Sequence, residues 1–192
     1  MIKSYVWYVG YGSNLSEQRF LCYIKGGIPH YGNRKNEGCS DKNPPIENKR
    51  IEIHYELYFA LPDKLEITQN WGPGGVAFVN PDEGEKSKTF CRMWKITKEQ
   101  YEEVRTQEGR AWYDKEIKIG EEGGVPIYTM TSKKIQTNLL SPSDAYIKTI
   151  ALGLRETYKL DNEGIAHYLI DKKGIKANLR EGELLRILAS LQ

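Results

Sequence analysis

Tyr5-Val6-Trp7-Tyr8-Val9-Gly10-Tyr11-Gly12-Ser13-Asn14-Leu15 decides how the chain folds. The run from Tyr5 to Val9 is β-branched and aromatic, and Gly10 stops it. It predicts a buried strand entering a tight turn. Asn14-Leu15-Ser16-Glu17 is a helix entry, with Asn14 or Ser16 as cap and Glu17 in the first turn. That helix runs through Phe20 and Ile24 and stops at Gly26-Gly27. Gly10 and Gly12 admit backbone conformations barred to other residues. A strand, a glycine turn and a helix start in succession present backbone N–H groups at the positive end of the helix dipole, which suits a carboxylate or phosphate. A plain structural corner accounts for the same residues equally well. The dinucleotide fingerprint fails, because Leu15 stands where it needs Gly or Ala, and no Lys-Ser/Thr pair of a phosphate-binding loop is present.

Beyond this helix, residues 26–50 are rich in Gly, Asn, Lys, Pro and Asp and predict a long polar loop, open to solvent and mobile. Alternation from Ile51 to Phe59 predicts a strand with one wet face, carrying Glu52, His54, Glu56 and Tyr58. Asn70–Gly75 reads as a turn leading into a strand at Val76–Val79, and Asn80–Gly84 as a second turn. A strand is expected from Thr89 to Ile96. Thr97 and Gln100 then form a capping box for a helix over 98–107. Residues 112–119 and 125–132 read as a hairpin around Gly120–Gly124. Ser141-Pro142-Ser143-Asp144 predicts a helix capped by Ser141, and shorter helices follow over 163–170 and 181–191. Strands first and helices last make an α+β protein, expected as a single domain over 1–192.

Composition narrows the chemistry. The 192 residues carry 28 Lys and Arg against 26 Asp and Glu, a net charge of +2, which argues against a basic nucleic-acid binder. No apolar run has the length of a membrane span, and the stretch from Met1 to Trp7, broken soon after by Gly10, does not read as a secretory signal. Cys22, Cys39 and Cys91 form no CxxC pair, and unpaired thiols fit a reducing cytoplasm. His30, His54 and His167 lack metal-ligand spacing, and no GxSxG elbow occurs. An enzyme built from this chain is expected to use neither metal nor imidazole. In Thr106-Gln107-Glu108-Gly109-Arg110, Glu108 falls at the end of a helix, where its charge opposes the dipole. A surface carboxylate explains it; so does a proton carrier, for which a raised pKa is useful.

Four segments resemble the γ-glutamylcyclotransferase superfamily. Tyr11-Gly12-Ser13-Asn14-Leu15 resembles its YGSNL signature, Gly74-Gly75-Val76-Ala77 its GG-x-A strand, Gln107-Glu108-Gly109 its catalytic x-E-G segment, and Pro142-Ser143-x-x-Tyr146 its P-S-x-x-Y block. Their order is the family's, and they extend over most of the chain. The resemblance implies a mixed β-sheet or small barrel flanked by helices. It implies a cofactor-free reaction in which a γ-glutamyl amine or amide becomes 5-oxoproline as its own α-amine attacks the γ-carbonyl.

By the same resemblance Glu108 is the general acid and base. Tyr8, Val9, Gly10, Tyr11, Gly12, Ser13, Asn14 and Leu15 hold the substrate, and Tyr146 supplies a hydroxyl contact. The implied partner is a small γ-glutamyl molecule, with no metal, nucleic acid or membrane, and the chain is expected as a cytoplasmic monomer or homodimer. Amide hydrolysis on the same scaffold, and a carboxylate-binding module without turnover, are the alternatives. The chain departs from the family in the polar insertion at 26–50, expected to reach the pocket mouth, and in a helical extension from about residue 172.

Overall fold

The computed structural model describes residues 3–61, 68–82, 84, 86–109 and 112–191. Met1, Ile2, Glu83 and Arg110, which enter the readings above, lie outside them. The strands are β1 (Tyr5–Gly10), β2 (Glu47–Ile53), β3 (Leu57–Ala60), β4 (Val76–Val79), β5 (Thr89–Thr97), β6 (Lys115–Glu122) and β7 (Val125–Thr131). The helices are α1 (Glu17–Lys25), α2 (Thr68–Trp71), α3 (Lys98–Glu108), α4 (Asp144–Tyr158), α5 (Asn162–Ile170) and α6 (Glu181–Ala189). This is an α+β protein.

β1 is central in a five-stranded mixed sheet of order β2-β5-β1-β7-β6. It pairs antiparallel with β5 and parallel with β7. Among the described residues β2 and β6 do not pair, so the sheet stays open: of the two expected forms, mixed sheet or small barrel, it is the mixed sheet. Lys49 of β2 and Glu122 of β6 bridge the two edges with an ion pair between side chains. Both faces of β1 are covered, which is why its sequence is a continuous apolar run rather than an alternation. Trp7 and Val9 join the core shared with α4, α5, α6 and the β3–β4 ribbon. Val6 and Tyr8 join a second core with Phe20, Tyr23 and Ile24 of α1 and Tyr101 and Val104 of α3.

The alternating run expected over 51–59 divides between two sheets. β2 belongs to the large sheet, and β3 pairs with β4 in a separate ribbon. Tyr58, expected on a wet face, is therefore buried against Phe78. The Thr97–Gln100 capping box forms as expected. Ser143, not Ser141, caps α4, so Pro142 lies before the helix. Trp112 sits in a turn and β6 begins only at Lys115.

Hydrogen bonds tie the polar insertion to α1, α2 and α3, and β2 takes up its last residues from Glu47. Gly27 and Asn36 exchange backbone hydrogen bonds, Cys39 N–H reaches the Ile24 carbonyl, and Asn33 N–H reaches the Asn70 carbonyl. Gly38 N–H and Ser40 bond the side chains of Gln107 and Glu103 on α3. At the other end of the chain, Leu184 and Leu188 of α6 are fully buried, and Phe59 N–H donates to the Lys173 carbonyl. The C-terminal segment thus completes the core. Among the described residues no helix is long and apolar enough to cross a membrane.

Candidate active site

A cavity of about 330 Å³ opens where the end of β1, the start of α1, the end of α3 and the start of α4 converge. Tyr8, Tyr11, Gly12, Ser13, Asn14, Glu108 and Tyr146 all line it. Val9, Gly10 and Leu15, expected to touch substrate, do not. Strand alternation turns Val9 to the opposite face of β1, the position of a Gly10 side chain is filled by Asn14, and Leu15 is fully buried in the core.

Residues 12–15 form a single tight turn before α1, with Leu15 N–H donating to the Gly12 carbonyl and Ser16 N–H to the Ser13 carbonyl. Ser16 caps α1. Those bonds consume two of the N–H groups that an anion would need. Of the remaining N–H groups, that of Ser13 is turned to the Tyr146 hydroxyl, which leaves those of Gly12 and Asn14. Trp94 Nε1 donates to the Asn14 carbonyl at 2.9 Å and fixes the turn from below. A Cβ on Gly12 would sit 2.8 Å from Ala77 Cβ and 2.9 Å from the Tyr146 hydroxyl, so only glycine lets the turn, β4 and α4 meet. The GG-x-A strand answers the same demand: a Cβ on Gly75 would lie 2.2 Å from the Leu140 carbonyl oxygen.

Glu108 ends α3 against Gly109, whose φ of 93° turns the chain away. Trp112 Nε1 donates to the Glu108 carbonyl and covers the helix end. The carboxylate points inward. Oε1 accepts from the Tyr8 hydroxyl at 2.7 Å and from Asn14 Nδ2, and Asn14 Nδ2 also donates to the Tyr8 oxygen at 2.7 Å. Burial pushes the Glu108 carboxyl above its ordinary value, while Tyr8, the Arg19 charge and Asn14 pull it back. Burial, and next the Glu108 charge, hold the Tyr8 phenol far above its usual range, so Tyr8 remains a donor. Tyr146 accepts from Ala77 N–H at 3.3 Å, and Tyr113 donates to the Ala77 carbonyl at 2.8 Å.

Sequence reasoning missed part of this lining: Arg19 and Tyr23 of α1, Trp71, Tyr113, Gln107, and the loop residues from Arg34 to Glu37. Arg19 and Tyr23 share a helix face at i and i+4, which was visible in the spacing. The insertion does reach the cavity mouth. His30, His54 and His167 are exposed and none lines the cavity, and the three cysteines are buried and free. Among the described residues no cluster of His, Cys, Asp or Glu is placed to hold a metal.

The architecture is that of the γ-glutamyl cyclotransferase fold, as the four motifs imply. A solved structure of a γ-glutamyl cyclotransferase matches over 80% of each chain with a TM-score of 0.51 at 19% identity. A crystal structure of an uncharacterized protein from Homo sapiens matches over 81% of each chain with a TM-score of 0.52 at 18% identity. No protein-family model matches the chain. Among curated proteins, histone deacetylase 5 of Arabidopsis thaliana is 30% identical over 210 aligned positions, which take in 90% of this chain and 31% of that protein. The chain spans about a third of the length of that relative, and the activity in the name is that of the relative.

Proposed function

We propose that the chain is a cofactor-independent γ-glutamyl cyclotransferase that converts a small γ-glutamyl amine or amide into 5-oxoproline and the free amine. The observation that carries this reading is the half-buried Glu108 carboxyl, raised by desolvation and held by Tyr8 and Asn14 on the wall of a cavity that also exposes the Gly12–Asn14 turn. The three free, buried thiols support a reducing compartment such as the cytoplasm.

The substrate arrives with its α-amine as an ammonium, which is no nucleophile. Glu108 takes one proton from it. The neutral amine attacks the γ-carbonyl carbon, a five-membered ring closes, and the carbonyl oxygen gains negative charge. Backbone N–H groups of Gly12 and Asn14 are the donors nearest to hand for that oxygen or for the substrate's carboxylate. Glu108 returns its proton to the departing nitrogen as the C–N bond breaks, and the second proton leaves the ring nitrogen for the released amine, which departs as an ammonium. One carboxyl serves both transfers because its pKa is displaced toward neutrality. The cavity's main contribution is to fold the substrate so that amine and carbonyl meet.

The test is 5-oxoproline formation from a panel of γ-glutamyl amino acids and γ-glutamyl amines, with the unaltered chain and Glu108→Gln. The expected result is turnover that falls at least about 1,000-fold in the variant, with an unchanged circular-dichroism spectrum. Free glutamate in place of 5-oxoproline would replace cyclisation with hydrolysis. Equal turnover by the two proteins would remove Glu108 from the mechanism.

A further inference from the structure

Among the described residues two arginines are buried, and they are treated very differently. Arg92, with 7% of its side chain exposed, is held by Glu17 at 2.9 Å and Glu156 at 2.6 Å, by the Leu15 carbonyl, and by Asn48. Arg19 is 4% exposed and lines the cavity. Among the described residues its guanidinium has one hydrogen-bond acceptor, Asn36 Oδ1 at 3.3 Å, and its buried Nε has no partner. A guanidinium carries five N–H donors, and a buried cation without a counter-charge is costly. The Tyr23 ring lies 3.9 Å from the guanidinium carbon and the Trp71 ring 5.5 Å from it, so the plane of the group is set by packing and not by an ion pair.

Arg19 also stands in the first turn of α1, where its charge opposes the positive end of the helix. Glu108 has the converse defect at the end of α3. Both misplaced charges face one cavity. A pocket with a cation and an anion on its walls complements a zwitterion, and an α-amino acid end is the zwitterion that a γ-glutamyl group presents.

We infer that Arg19 is the carboxylate clamp of this cavity, binding the α-carboxylate of the γ-glutamyl group while Glu108 faces its α-ammonium. The inference deepens the cyclotransferase reading and rests on it. It assigns Asn36, and with it the insertion, the task of orienting the guanidinium.

The experiment uses ligands that differ by that carboxylate alone. 5-Oxoproline and 2-pyrrolidinone are titrated calorimetrically into the unaltered chain, Arg19→Gln and Arg19→Lys. γ-Glutamylethylamide and 4-aminobutyrylethylamide are assayed for ring closure in parallel. Arg19→Gln is expected to weaken 5-oxoproline binding by about 10- to 100-fold and to raise KM for the γ-glutamyl compound by a similar factor, as the loss of a hydrogen-bonded charge pair implies. Binding of 2-pyrrolidinone and closure of the 4-aminobutyryl compound should change by less than about threefold, and Arg19→Lys should recover part of the loss. An equal loss for both members of each pair makes Arg19 a packing residue and overturns the clamp. If Arg19→Gln does not fold, Arg19→Lys decides alone: a selective loss for the carboxylate ligand supports the clamp and a uniform one refutes it. Binding of 5-oxoproline that depends on Arg19, without ring closure by the unaltered chain, would end the cyclotransferase reading and leave the clamp standing.

Discussion

The Tyr8 hydroxyl donates to Glu108 Oε1 at 2.7 Å across a hundred residues of sequence, and the same hydroxyl oxygen accepts from Asn14 Nδ2. A strand residue, a turn residue and a helix-terminal residue thereby share one hydrogen-bonded triangle. The bond from Tyr8 favours the ionised carboxylate and opposes the effect of burial. Tyr8→Phe is expected to raise the Glu108 pKa further and to shift the acid limb of the kcat/KM profile to higher pH. Turnover near neutrality should fall by about 10- to 100-fold, the range for a hydrogen bond to a charged group. The pH profile is the decisive measurement: a uniform drop without a shifted limb would mean that Tyr8 does not act through Glu108.

Glu108 itself makes stability depend on pH in a defined direction. Its folded-state pKa is raised above the ordinary 4.5 chiefly by burial, so the folded chain holds the proton more tightly than the unfolded chain does. The carboxyl therefore favours folding below that ordinary value, and this contribution is lost as pH rises through the raised value. Glu108→Gln keeps an acceptor for Tyr8 and carries no charge. At pH 7 the variant should melt higher than the unaltered chain, and the gap should close as the pH falls toward 4.5. A variant that melts lower at pH 7 would contradict the stated cost of the desolvated carboxylate.

Tyr146 tests the opposite wall. Its hydroxyl takes the Ala77 N–H at 3.3 Å inside a buried contact with Gly12. Tyr146→Phe leaves that N–H without an acceptor, a loss of about 1–3 kcal/mol. For a chain of this size each kcal/mol lowers the melting temperature by about 2–4 °C. KM should rise as well, since β4 and the Gly12 turn lose their common partner. Unchanged stability would show that the Ala77 N–H finds another acceptor.

Much of this arrangement is legible in the sequence, and the rest is not for physical reasons. The run from Tyr5 to Val9 announced a strand, and the Thr97–Gln100 box announced α3, because both signals are local. The alternation at 51–59 misled because a period of two marks extended chain and does not say where that chain changes sheets. Residues 26–50 read as a polar loop because their contacts are backbone bonds to Ile24, Asn70 and α3 and, from Glu47, strand pairing with β5, which side-chain pattern does not encode. Glu108 stands out by a charge at the wrong end of a helix. The same test applied to α1 picks out Arg19, whose charge sits at the wrong end of that helix.

Gly153 shows how tightly α4 is pressed on the substrate turn. A Cβ at that position would lie 2.3 Å from Leu15 Cβ and 2.4 Å from Ser16 N, distances that no side-chain rotation relieves because one contact is backbone. Gly153 is helical, so Ala would otherwise be the better helix former by about 1 kcal/mol. The clash must outweigh that gain, since overpacking a close contact costs about 1–3 kcal/mol and here the alternative is to move α4 off the turn. Gly153→Ala is expected to lower the melting temperature and to raise KM by widening the gap between Tyr146 on α4 and Gly12–Asn14, while the pH limb set by Glu108 stays in place because the bonds that hold the carboxylate come from Tyr8 and Asn14 and not from α4. Denaturant unfolding together with a pH–rate profile separates the two effects. A stabilised variant with unchanged KM would show that α4 does not hold the turn.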